Sequence, residues 1–140
     1  MYNRQIAFRM RVEKAKSALS FVGRVNAPAT KGALFCCPGS DGRQYFVRVD
    51  KVNDGQYTVK CWRKDSGEFC KGNSYHKTIC YHSMMAFEKL AAESNFSCRW
   101  VFDPAHVQHT KNLTGGLYCT VHSAHNFDAM AHCVVFKKEK

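Results

Sequence analysis

The sequence predicts an α+β fold. Two observations carry that class: Tyr57-Thr-Val-Lys-Cys61 alternates with the period of a strand, and Met84, Phe87 and Ala91, with Met85 and Leu90 beside them, recur on one side of a helix. A third is the spacing of turn signals, Pro38-Gly-Ser-Asp-Gly42, Asn53-Asp-Gly55 and Asp65-Ser-Gly67, which cut the stretch between residues 33 and 71 into three or four short antiparallel strands. The expected order is an N-terminal helix, a small antiparallel sheet, a hairpin that leads into a second helix, and extra C-terminal strands.

Residues 3 to 20 read as an amphipathic helix. Ile6, Met10, Ala15, Ala18 and Leu19 are available for one face, while Arg4, Arg9, Arg11, Lys14 and Lys16 fall largely on the other. Residues 23 to 32 read as a connection broken by Pro28, followed by strands at Ala33 to Cys37 and Gln44 to Val49. Cys36 and Cys37 are adjacent in a strand and so point to opposite faces; both are expected to be structural. Beyond residue 93, SCRWVFD, GLYCTVH and AHCVVFK read as three further strands that form a small extra sheet, with Asp103-Pro104 and Thr114-Gly-Gly116 between them.

The centre of the chain concentrates soft ligands. Cys61 and Cys70 sit on two runs that can pair as a hairpin, and Cys80 and His82 lie where the strand period gives way to the helical one. Zinc takes tetrahedral sulfur and nitrogen donors, and in structural sites the protein fills all four positions. Cys61, Cys70, Cys80 and His82 are therefore the expected metal ligands, giving a zinc-bound hairpin, with His76 as the competitor for the fourth place. A second site using Cys98 with His106 or His109, or Cys119 with His122, has looser spacing and is not expected to close.

These residues resemble the SWIM zinc finger, whose pattern is CxC, a spacer, then CxH leading into a helix. Cys80-Tyr-His82 and the apolar helix after it match the second half, and eighteen residues separate Cys61 from Cys80. Upstream, Arg11-Val-Glu-Lys14-Ala15, Gly23-Arg-Val25, Leu34-Phe-Cys-Cys37 and Tyr45-Phe-Val-Arg-Val49 are similar to the basic helix, short G-x-V and paired strands of that family. The first half departs from it: CxC ending at Cys61 would begin at Val59, and CxC beginning at Cys70 would end at Gly72. The missing cysteine is read as having moved across the hairpin. The resemblance implies a SWIM-like zinc-binding domain over residues 1–92 with a β-rich extension, 93–140, packed on it, and binding to DNA or to protein.

The 140 residues carry a net charge of +10, and fourteen of the 21 lysines and arginines, against six acids, precede residue 73. An excess of this kind is the footprint of a polyanion binder. Arg11, Lys14, Arg43, Arg48, Lys60, Arg63, Lys64 and Lys71 are the candidate contacts with DNA or RNA, and Trp62 among them either stacks on a base or covers the zinc hairpin, the latter being expected. An acidic protein partner within a larger nucleoprotein assembly is the alternative. No phosphate-cradling glycine loop, HExxH or deaminase signature appears, so neither catalysis nor a small-molecule substrate is expected. The N-terminus lacks the apolar core of a signal peptide and no run is long enough to span a membrane, which together favour an intracellular setting, cytoplasmic or nuclear.

Overall fold

A computed structural model describes residues 4–25, 33–39, 41–53, 56–70, 79–93, 95–102, 116–123 and 131–137. The fold is α+β. Helix α1 (Arg4–Ser17) runs into a single 3-10 turn (Leu19–Phe21), and helix α2 spans Tyr81–Glu93. The strands are β1 (Gly23–Val25), β2 (Ala33–Pro38), β3 (Gln44–Asn53), β4 (Gln56–Arg63), β5 (Phe96–Phe102), β6 (Gly116–Ser123) and β7 (Ala131–Lys137). They form one seven-stranded sheet in the order β1-β2-β3-β4-β6-β7-β5.

All pairings are antiparallel except β4 with β6, which is parallel, from Gln56 opposite Thr120 to Val59 opposite Ser123. The three C-terminal strands are therefore present as expected but extend the first sheet instead of making a separate one. The parallel joint follows from α2. This helix leaves the β4 hairpin and returns the chain as β5, which runs in the direction of β4 with β6 and β7 between them, a crossover of the length a helix usually supplies. The other departure is β1, in a segment read as a plain connection. Only Val25 of its three residues favours a strand, too short a signal by itself, and the edge of β2 recruits the segment through Gly23–Cys36 and Val25–Leu34 pairs.

Period two sorts the strands into two faces. Phe35 and Cys37 of β2, Tyr45, Val47 and Val49 of β3, and Val59 and Cys61 of β4 are buried, while Leu34, Cys36, Phe46, Arg48, Asp50, Thr58, Lys60 and Trp62 alternate with them on the other side. Helix α2 lies on the first face, touching β2, β3, β4 and β5, and α1 packs on α2. Among the described residues no helix covers the second face.

The buried stripe of α1 keeps the expected Ala15 and Ala18 but replaces Ile6 and Met10 with Phe8 and Val12. Phe8 (2 % exposed) and Ala15 (0 %) face the core with Val12 and Ala18 partly buried behind them, whereas Ile6 (57 %) and Met10 (65 %) are turned outward. Steps of four and three residues from Phe8 through Val12 to Ala15 make a complete helical stripe. Phenylalanine offers the larger apolar surface, and it takes the core position.

A polar clasp fixes both helices to the sheet. Buried Glu88 on α2 accepts from Lys16 Nζ of α1 (3.1 Å) and from Trp100 Nε1 of β5 (3.3 Å), and Lys16 also donates to the Cys98 carbonyl (2.8 Å). A buried carboxylate is costly unless paired, so removing Lys16 or Trp100 would leave the Glu88 charge poorly compensated. At the edge of the sheet Arg24 pairs with Glu93.

Phe8→Ala should lower the free energy of unfolding by about 3–5 kcal/mol, and Ile6→Ala should change it by less than about 0.5 kcal/mol. Denaturant midpoints of the two variants check this; equal midpoints would mean that α1 does not dock as described.

Candidate metal centre

The centre begins with the end of β4. Gly67 N donates to the Arg63 carbonyl (2.9 Å), Arg63 N to the Glu68 carbonyl (2.8 Å) and Cys70 N to the Cys61 carbonyl (3.1 Å), closing a tight hairpin. Asp65 Oδ1 accepts from Ser66 N (2.7 Å), and Gly67 has a φ of 75°, a left-handed conformation that costs glycine nothing. Trp62 bridges Phe69, which sets Cys61 opposite Cys70 at the next pair and turns both sulfurs to the face beneath the helices.

The second half comes from the helix entrance. Met84 N donates to the Cys80 carbonyl (3.1 Å), so Cys80 occupies the cap position and His82 the second residue of α2. The Ser83 hydroxyl is 3.3 Å from Cys80 Sγ. A helix N-terminus favours negative charge, and a sulfur there is a better thiolate than one in an apolar pocket.

The three sulfurs and a ring nitrogen of His82 all lie within 4.8 Å of one another, and all four residues are buried. His82 Nδ1 stands 3.3 Å from Cys70 Sγ and 3.7 Å from Cys61 Sγ. A tetrahedral ion with bonds of about 2.0 Å to nitrogen and about 2.3 Å to sulfur holds such pairs about 3.5 Å apart. This buried Cys3His cluster has the composition and spacing to hold a metal ion. The four residues are those expected from the sequence, and the ring nitrogen facing the sulfurs is Nδ1.

Charge in the cluster is uneven. Burial pushes the Cys61 thiol well up, and hydrogen bonds with Cys70 and Cys80 add to it. Burial acts the same way on Cys80, but there the hydrogen bonds from Cys61, Cys70 and His82 outweigh it and hold the thiol well below its ordinary range. Protein donors thus stabilise sulfur charge first at the helix entrance. A cation held by these four residues would stabilise the remaining thiolates, its own charge replacing their protons.

His82 is clamped between two rings. Tyr45 stacks on one side (centroids 4.0 Å apart, 20° between planes) and Tyr81 covers the other at 4.1 Å. The Tyr45 hydroxyl donates to Asp41 Oδ2 (2.9 Å), whose other oxygen accepts from Arg43 N (3.0 Å), and burial together with the Asp41 contact pushes the phenol up to about 12. Gly39 lies against the Tyr45 ring so closely that a Cβ there would enter it. Its lack of a side chain lets the ring reach the histidine. His82 Nε2 is buried and has no hydrogen-bond partner among the described residues; in an imidazole that binds metal through Nδ1, this remote nitrogen carries the proton.

Cys37 lies close by yet is no fifth ligand. Its Sγ donates to the His82 carbonyl (3.6 Å), and burial, with the charges of Cys80 and Cys36 behind it, pushes its thiol far up. Cys36 lies on the far side of the sheet, 3.3 Å from Gln44 Oε1. Cys98 and Cys133 are buried in β5 and β7, away from the cluster. His76, Lys71, His106 and His109 lie outside the described residues, as do the side chains of Cys119 and His122.

The basic candidates divide between the two sides of the sheet. Arg48, Lys60 and Trp62 lie on the uncovered face, with Lys64 Nζ 5.6 Å from the Phe46 ring centre. Trp62 therefore does not cover the hairpin sulfurs: β4 turns Cys61 one way and its neighbour the other, and Trp62 meets Phe46 at 6.1 Å instead. Arg11, Lys14 and Arg63 line a cleft of about 780 Å³ on the helix side, next to Tyr45, Cys70, Cys80 and His82. Arg43 is exposed in the turn before β3. The supporting groups Gly39, Asp41, Tyr45 and Tyr81 were not expected from the sequence; the alternation that puts Tyr45 in step with Val47 is the one signal that pointed inward.

Purified protein should carry about one metal ion per chain. His82→Ala and Cys80→Ala should lose it and unfold at lower temperature, and Cys36→Ser should keep it, as read by elemental analysis and thermal melting. Metal retained in the His82 variant with an unchanged melt would remove His82 from the centre. No family model, curated protein or solved structure matches this chain, and the centre is defined by its four side chains alone.

Proposed function

We propose that the chain is a zinc-stabilised, non-catalytic module that binds nucleic acid, DNA or RNA, through the face of the sheet opposite the metal. The observation that carries this reading is Lys60 and Lys64 on that face, beside Arg48, whose guanidinium is paired with Asp50 (3.2 Å), in a chain of net charge +10. Phosphates that meet such cations release condensed counterions, which favours association.

The choice of zinc rests on ligand chemistry. Three sulfurs with one imidazole suit a borderline-soft ion of tetrahedral habit, and four protein ligands leave no position for substrate. The C-x-H step into α2 supports the likeness to SWIM fingers, although the other two ligands face each other across a hairpin and not within one CxC. Three thiolates about a divalent ion leave a net negative charge, which Arg11, Lys14 and Arg63 around the cleft offset. These three belong with the centre, so the phosphate contacts fall to the other side. The described cysteines form no disulfides, which fits a reducing, intracellular setting. No helix among the described residues is long and apolar enough to cross a membrane.

Binding to a short oligonucleotide, followed by fluorescence anisotropy across a salt series, should weaken steeply as salt rises. Lys60→Ala and Lys64→Ala should each reduce the slope of log K against log salt by about 1. Arg63→Ala should leave that slope unchanged. Binding indifferent to salt, or absent at low salt, would overturn the reading and favour an acidic protein partner.

A further inference from the structure

We infer that the ligand of the uncovered sheet face is an unpaired nucleic-acid strand, held by stacking two or three of its bases on a ladder formed by Phe46, Trp62 and Phe69. This rests on the nucleic-acid reading above and names the class of strand.

The ladder is set by register. Phe46 pairs with Trp62 across β3 and β4, and Trp62 bridges Phe69 on the return of the hairpin, so three aromatic residues stand side by side across the strands on one face. Neighbouring strands are about 4.8 Å apart. Successive bases of an extended strand can therefore address successive rings, whereas the paired bases of a duplex keep their flat faces against each other. Phe69 is 46 % exposed, and Trp62 is half-buried beside it. Large apolar rings in a cluster at the surface, under no described helix, are what a stacking platform presents.

The cations are placed to serve the same ligand. Lys60 Nζ lies 6.0 Å from the Trp62 centroid and 5.3 Å from that of Phe69, and Lys64 Nζ lies 5.6 Å from Phe46. Cation–aromatic contacts of exposed lysines are weak, and a stacked base is worth more, so the ammonium groups yield the rings and move to the phosphates. Every base has a π-face. The ladder thus tolerates sequence and discriminates by strandedness.

Metal-loaded protein is titrated against a 12-nucleotide single strand, the duplex of the same sequence, and an abasic single strand that keeps the phosphates. The single strand should bind at least about tenfold more tightly than either of the others. Trp62→Ala should lose about tenfold toward the single strand alone, and Trp62→Phe should restore most of it, with thermal melts reporting that both variants are folded. Duplex or abasic strand bound as tightly as the intact single strand overturns the ladder and leaves the polyanion reading standing. No binding by any of the three overturns both.

Discussion

The structure depends on bringing four polar side chains, three of them thiols, to one buried point between a hairpin and a helix entrance. Left to themselves, three sulfurs and an imidazole packed this closely have too few good partners: thiols are weak donors, and burial opposes thiolate at Cys61. The hydrogen bonds that hold Cys80 low accommodate part of that charge. A metal ion bound there would accommodate the rest, and because the unfolded chain offers no such site, its binding energy would be folding energy. The rest of the domain is arranged to make this convergence possible. The tight hairpin sets Cys61 against Cys70, the helix cap presents Cys80, and stacked rings clamp His82.

Because Cys80 caps α2, the centre also decides where the crossover helix starts. From that point α2 lies across four strands and is tied at its middle by Glu88 to Lys16 and Trp100. One end of the helix thus begins in the Cys3His cluster, and its middle is tied by the Glu88 ion pair. The parallel joint between β4 and β6 follows from the same path, since the chain must travel over the sheet before it can pair in that direction.

What could be read in the sequence was what local period determines. The alternation in β2, β3 and β4 and the helical stripe of α2 gave the elements, and the switch between them marked Cys80 and His82. The Asp65-Ser-Gly67 turn put Cys61 and Cys70 on runs that can pair, and the register that sets them opposite each other is fixed by the Trp62–Phe69 bridge and the Cys70 N to Cys61 O bond. What was not legible depends on distance in space. β1 exists only because β2 offers it an edge, and the C-terminal strands join the main sheet only because α2 carries them there. In α1 the helical period lets either Ile6 and Met10 or Phe8 and Val12 join Ala15 and Ala18 in the core, and only packing against α2 separates them. Tyr45, Asp41 and Gly39 support a histidine some forty residues away, and nothing local in the sequence signals that contact.

Trp62 shows how a period of two links the centre to the opposite face. Val59 and Cys61 point beneath the helices, and Lys60 and Trp62, their neighbours in the same strand, must then point outward. Slipping β4 by one residue would bury a lysine and a tryptophan and expose the ligand sulfur. Cys61 in the cluster and Lys60 and Trp62 on the outer face are therefore fixed by one register, which also sets Lys60 opposite Arg48 and Trp62 opposite Phe46. The Cys3His cluster and the outer face are two sides of one strand, so a substitution that displaces Cys61 should also loosen the aromatic row outside.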